Sequence, residues 1–182
     1  MTLVFVRHGE SVANREGWLA GAVDTALTPC GRDQARELRS QLPPLSRAYC
    51  SDLVRAKETA LILLEGMDLR LDETSVLRER DLGPWARKRR EELPNPNDLL
   101  GWDSAPSGAE SQADVAARVV PWLASLPEAS GNTLIVSHGG VIRVLVGLLD
   151  GTHREAIGRR KVRNCEVLMR HAGPECWQEL LQ

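Results

Sequence analysis

Two short runs without a polar face constrain this chain most. Leu3-Val4-Phe5-Val6 and Thr133-Leu134-Ile135-Val136 set apolar or β-branched side chains at successive positions. Strand neighbours point to opposite faces, so such runs suit strands whose sheet is covered on both sides. Helical patterns alternate with them. Thr28-Pro29 offers an N-cap and a first-turn proline, Ala35, Leu38 and Leu42 share one face, and Pro43-Pro44 stops that helix. Arg47–Cys50 reads as a second strand. Ser51 or Asp52 is expected to cap the next helix, with Val54, Leu61 and Leu64 among its apolar positions. Glu110–Leu126 carries Val115, Val119 and Leu123 at four-residue spacing, and Val141–Leu149 reads as a further helix. Glu166–Met169 and Trp177–Leu180 are expected as terminal edge strands. The alternation predicts an α/β fold, a three-layer α/β/α sandwich around a mainly parallel sheet. Residues 1–182 are expected to form a single domain with a lid-like insertion at 84–108, where Pro84, Pro94, Pro96, Pro106 and Gly108 surround a short charged helix. A chain of 182 residues buries roughly 70% of its unfolded surface and needs no covalent staple.

Charge narrows the partners. Lys and Arg number 23 against 25 Asp and Glu, a net −2, which argues against a nucleic-acid or membrane-surface binder. Twenty of the 23 basic residues are Arg, spread over the whole length. Cys30, Cys50, Cys165 and Cys176 form no C-x-x-C pair and fit free thiols in a reducing compartment. The start turns polar at Arg7-His8, too early for a signal peptide, and no apolar run approaches the roughly 20 residues of a membrane span. A cytoplasmic location is expected.

The chemistry collects where strands end. Arg7-His8-Gly9-Glu10 follows the first strand, Ser51-Asp52…Arg55 the second, and Ser137-His138-Gly139-Gly140 the strongest. In open α/β sheets these ends form the ligand crevice, beside helix N-termini that favour anions. Two histidines and two arginines there suit a dianionic phosphoryl group.

These segments, together with Ser11, Asn14, Gly17…Gly21…Asp24, Leu27-Thr28, Gly31, Gln34-Ala35, Ser51–Ala56, Thr59-Ala60, Leu77-Arg78-Glu79, Gly83-Pro84-Trp85, Gly108–Ser111 and Asn164, resemble the histidine phosphatase superfamily, the phosphoglycerate mutase-like proteins. The likeness spans nearly the whole chain. It implies that His8 is the nucleophile and becomes a phosphohistidine. Arg7, Arg55 and His138 would hold the equatorial oxygens, and Asn14 would add a hydrogen bond. Glu79 would be the acid and then the base, helped by an anionic substrate that raises its affinity for a proton. Glu10 would orient the basic cluster. No metal or other cofactor is implied, and the partner would be a small phosphorylated metabolite; the oligomeric state, a homodimer included, is left open.

Physical chemistry supports these roles separately. A neutral imidazole is a good nucleophile near pH 7, and phosphoryl transfer needs chiefly positioning and positive charge, which two arginine forks supply. The reading is a metal-independent phosphomonoesterase of the phosphatase branch, which resembles the α-ribazole phosphatases. The short stretch from Glu79 to His138 favours it over a cofactor-dependent phosphoglycerate mutase, since a short lid keeps water out poorly. A non-catalytic phosphoester-binding module is the third alternative. Two departures from the family pattern bear on the substrate side: Ala86-Arg87 stands where many members carry Glu-Gly, and Ala109 replaces a glycine. Arg87-Lys88-Arg89-Arg90, followed four residues on by Glu91 and Glu92, reads as a solvated helix face. Arg159-Arg160-Lys161 and Arg163 form a second basic patch, at the rim of the site or unconnected with it. Trp18 and Trp85 are candidates for the entrance. His153 and His171 have no motif around them, and a metal site from His8, Glu10 and His138 lacks ligand spacing.

Overall fold

Strand β1 (Thr2–Arg7) is an interior strand, second from one edge of a sheet that has five strands among the described residues, and both of its faces are covered. The structure, a computed structural model, describes residues 1–127, 130–173, 176 and 180. After β1 come helices α1 (Val12–Glu16) and α2 (Pro29–Arg39), strand β2 (Leu45–Ser51), helix α3 (Val54–Leu64) and strand β3 (Leu71–Thr74). Four 3-10 turns lead to α4 (Gln112–Ser125), β4 (Asn132–Ser137), α5 (Gly139–Leu149), α6 (Arg154–Ile157) and β5 (Val167–His171). The sheet order is β3-β2-β4-β1-β5, parallel except for the antiparallel edge strand β5. Leu3 and Phe5 turn toward α4 and α5, whereas Val4 and Val6 turn toward α2 and α3. That division makes three layers, as the apolar runs predict.

Helix ends follow local chemistry. Thr28 accepts the Gly31 N–H ahead of Pro29, and Ser111 forms a capping box with Asp114, so α4 begins two residues after Glu110. The expected cap of α3 is corrected. Its N-cap is Leu53, and the Val54 N–H donates to Asp24 Oδ1 instead. Asp52 pairs with Arg78. The phase of α3 also differs: Val54 and Leu61 are 46% and 53% exposed, while Ala56, Ala60, Leu63 and Leu64 face the core. Alanines there let the helix lie close to the sheet. Residues 84–108 hold no charged α-helix. Their turns are 3-10 at Gly83–Trp85, Arg90–Glu92 and Pro96–Leu99. The terminal strand is Val167–His171, and Trp177–Glu179 lie outside the described residues. Among the described residues no helix is long and apolar enough to cross a membrane.

Candidate active site

The carboxyl ends of the four parallel strands meet on one side of the sheet. The His8 N–H donates to the Ser137 carbonyl at 3.0 Å, tying the loop after β1 to the end of β4. Behind His8 the backbone is wedged against α2. A Cβ on Gly9 would lie 2.3 Å from the Gly31 oxygen, and one on Gly31 would lie 2.1 Å from the Glu10 oxygen. Glu10 does not orient the basic cluster, contrary to expectation. Its Oε1 accepts the Thr28 hydroxyl at 2.7 Å, which anchors the start of α2.

His8 is 3% exposed, and its Nδ1 lies 2.7 Å from the Gly9 carbonyl oxygen. A carbonyl only accepts, so Nδ1 carries the proton and Nε2 keeps its lone pair. Arg55 Nε donates toward that Nε2 at 3.3 Å. Burial, then Arg7 and Arg55, push the His8 imidazole well below the usual histidine range, which keeps it neutral. The Arg55 fork is fixed by the carbonyls of Val23 and Gly21, at 2.9 and 2.8 Å.

His138 is fully buried as the N-cap of α5, with its ring centroid 5.1 Å from that of His8. Its Nε2 lies 2.8 Å from Ser51 Oγ, which itself accepts the Leu53 N–H at 3.3 Å. When the Ser51 hydroxyl donates to Nε2, the proton of His138 sits on Nδ1. That Nδ1 and Arg7 Nε are buried without a partner among the described residues, as expected of donors meant for a ligand. Arg7 also donates from Nη1 to the Val162 carbonyl at 2.6 Å. Burial, Arg55, His8 and Arg7 lower the affinity of His138 for a second proton.

Glu79 faces this group from the segment after β3. Its Oε1 accepts the Arg80 N–H at 2.8 Å and its Oε2 accepts the Gly140 N–H in the first turn of α5 at 3.1 Å. Asn14 reaches the same wall from α1. Its Oδ1 accepts from the Ser11 N–H and from Asn164 Nδ2, each at 3.1 Å. Asn164 also donates to the His8 carbonyl at 2.9 Å. All six sequence-predicted residues, Arg7, His8, Asn14, Arg55, Glu79 and His138, thus come together, and five of them line one cavity of about 220 Å³ with His138 buried just behind.

The cavity holds more than the sequence pointed to. Arg80, Arg90, Gln112 and Arg143 also line it. Arg143 could have been found, since it stands one helical turn after Gly139 on the face that α5 shares with the strand end. Arg90 was hidden by the helix expected at 87–90. That run is no α-helix: Trp18 bridges Arg89, the Leu19 N–H donates to Lys88 O at 2.8 Å, and Arg90 opens a 3-10 turn. Trp18 lines the cavity, as expected, and Arg87 lies over its ring. Trp85 instead packs among Leu82, Leu93 and Leu99. In the second basic patch Arg160 pairs with Asp150. His171 contacts Thr2, and His153 lies in a separate shallow cleft beside Trp102. Among the described residues, no three His, Cys, Asp or Glu side chains come together to hold a metal ion.

Comparison with known proteins identifies the family. The family model described as the histidine phosphatase superfamily (branch 1) matches residues 3–181. An adenosylcobalamin/alpha-ribazole phosphatase of Salmonella typhimurium is 34% identical over 160 residues, covering 82% of this chain and 79% of that protein. A 2,3-bisphosphoglycerate-dependent phosphoglycerate mutase of Methylorubrum populi is 34% identical over 178 residues, covering 88% and 84%. The solved structure of a putative alpha-ribazole-5'-P phosphatase from Escherichia coli superposes with a TM-score of 0.82 at 30% identity, covering 93% of this chain and 89% of that one.

Proposed function

The chain belongs to branch 1 of the histidine phosphatase superfamily, and from that premise we propose that it hydrolyses small phosphomonoesters through a phosphohistidine at His8, without a metal ion. The observation that carries this reading is the His8 tautomer. Its proton is held at Nδ1 by the Gly9 carbonyl, and its Nε2 lone pair faces the arginine-lined cavity. In the first step Nε2 attacks phosphorus, the P–O ester bond breaks, and Glu79 gives a proton to the departing alcohol oxygen. In the second, water attacks phosphorus and yields a proton to the Glu79 carboxylate. The P–N bond then breaks, inorganic phosphate leaves, and neutral His8 returns. Arg7, Arg55, Asn14 and the His138 Nδ1–H stabilise the charge on the equatorial oxygens.

A phosphoglycerate mutase is the second reading, and relatives with that name are as similar as the phosphatases. The hydrolase is preferred because the segment beyond Glu79 contributes only 3-10 turns before α4, a small cover with which to keep water from a phosphoenzyme.

The test is to trap the intermediate. After rapid mixing with a radiolabelled aryl phosphate and an alkaline quench, label is expected on the peptide that holds His8, in an acid-labile linkage. Label is expected to accumulate in Glu79→Gln, where the base for the second step is missing. Phosphate release in EDTA should equal that without it. Label on serine or cysteine would end the mechanism, and rescue of a chelated enzyme by Mg²⁺ or Zn²⁺ would end its metal-free part. Primer-dependent isomerisation of 3-phosphoglycerate with little free phosphate would make the protein a mutase.

A further inference from the structure

The tautomer of His8 depends on one peptide unit, and that unit is held from its far side. A trans peptide is planar, with its carbonyl and its N–H on opposite sides. In the Gly9–Glu10 unit the carbonyl oxygen lies 2.7 Å from His8 Nδ1, and the Glu10 N–H donates to Gln34 Oε1 at 2.9 Å. Gln34 stands half-buried in the middle of α2, and its Nε2 turns to Cys30 Sγ at 3.6 Å. A backbone N–H only donates, so the end of the Gln34 amide that faces Glu10 is the oxygen. The preceding unit, His8–Gly9, is pinned at both ends. Asn164 Nδ2 donates to its carbonyl at 2.9 Å, and its N–H donates to Thr59 Oγ1 at 3.0 Å. Thr59 is fully buried, and its hydroxyl donates to the Arg55 carbonyl at 2.7 Å. Neither Gln34 nor Thr59 nor Asn164 lines the cavity.

Glycine has no Cβ to bar rotation of the peptide unit that follows it. With His8–Gly9 fixed, the Gly9–Glu10 unit is the one that can turn over while its neighbours stay in place. Turned over, it would present an N–H to Nδ1, and the proton of His8 would have to move to Nε2. Nε2 already faces the Arg55 donor at 3.3 Å, and without its lone pair it could not attack phosphorus. We infer that Gln34 is a positioning residue for the nucleophile: by accepting the Glu10 N–H it aims the Gly9 carbonyl at Nδ1 and keeps the lone pair of His8 on Nε2. This rests on the phosphohistidine reading and adds to it a residue outside the cavity.

The test uses three variants that differ in what they offer the Glu10 N–H. Gln34→Glu keeps an acceptor, Gln34→Met keeps the length without one, and Gln34→Lys brings a donor. Nitrogen NMR of histidine-labelled free enzyme at neutral pH reads the tautomer directly, with the His8 ring assigned by its loss in His8→Asn. Wild type and Gln34→Glu are expected to show Nδ1–H alone, Gln34→Met a share of Nε2–H, and Gln34→Lys a larger share. The rate of label transfer from an aryl phosphate to His8 should follow the same order. Gln34→Glu should stay within about twofold of wild type, Gln34→Met should fall by about five- to tenfold, one hydrogen bond's worth, and Gln34→Lys further. Competitive inhibition by inorganic phosphate should change by less than about twofold, since Arg7, Asn14, Arg55 and His138 are untouched. A residue that merely supported α2 would lower the Tm and leave the tautomer alone. Where Gln34→Met disturbs folding, Gln34→Glu against Gln34→Lys carries the comparison, both being polar at a half-exposed position. Pure Nδ1–H in every variant would overturn the positioning role, and label on His8 in the wild type would leave the hydrolase standing. A tautomer that shifts as expected, in an enzyme that never takes label on His8, would keep the positioning role and remove the hydrolase.

Discussion

The inner and outer ends of the cavity are built by different means. His8, Arg55 and His138 are 3%, 1% and 0% exposed, and each follows a parallel strand or sits in the first turn of the next helix. Two hydrophobic layers hold those strands from both faces. Trp18, Arg87 and Arg90 at the outer end stand on loops and 3-10 turns, joined chiefly by main-chain bonds such as Arg87 N–H to Leu19 O at 2.8 Å. Arg87 even adopts φ of +67°, a region that disfavours a side chain with a Cβ. The inner end fixes a reaction geometry on rigid elements, and the outer end is where a substrate is told from its relatives.

That division can be broken by measurement. The largest effects belong to the inner end. Arg7→Ala, Arg55→Ala and His138→Ala should each lower kcat/KM by about 10²-fold or more, and by similar factors for every ester. Losses that depend strongly on the alcohol would erase the distinction between the two ends.

A smaller effect concerns stability in acid. His8 and His138 are held well below the ordinary histidine range by burial and by the arginines. Below about pH 6.5 the unfolded chain therefore binds protons that the native state refuses. Stability is complete above that pH and falls as pH drops toward the native values, by up to about 1.4 kcal/mol per pH unit for each histidine. Urea unfolding between about pH 5 and pH 7 should show this slope, and it should flatten in a His8→Asn/His138→Asn variant. An unchanged slope would mean that neither ring is kept neutral by the fold.

The smallest effect is at Arg87. Arg87→Gly should be more stable than Arg87→Ala by about 1 kcal/mol, since both lose the contact with Trp18 but only alanine keeps a Cβ at positive φ. Activity in either variant should fall by less than about threefold. Equal stabilities would show that this wall relaxes rather than holding Arg87 in place.

The inner end was also the legible one. Unbroken apolar runs announced β1 and β4, and Arg7, His8 and His138 could be placed because they follow those runs. Strand β3 leaves little trace in the sequence because Leu71-Asp72-Glu73-Thr74 is short and acidic. Among the described residues it pairs only with β2, at the sheet edge, where hydration tolerates such residues. Arg80 and Arg90 are illegible in the sequence for a different reason. Their place depends on turns whose periodicity is neither 2 nor 3.6, and four charged residues in a row with glutamates beyond them mimic a helix face. Glu10 was misassigned because residue type alone does not say which way a carboxylate turns, and the Thr28 hydroxyl was the nearer partner.

The backbone contact between Gly9 and Gly31 bears on portability. Neither glycine accepts a side chain unless the opposing main chain withdraws, so the loop that carries His8 and the start of α2 are seated as one piece. A graft of Arg7–Glu10 onto another sheet would carry the nucleophile but not its aim. A working transplant has to bring the first turn of α2 along with it.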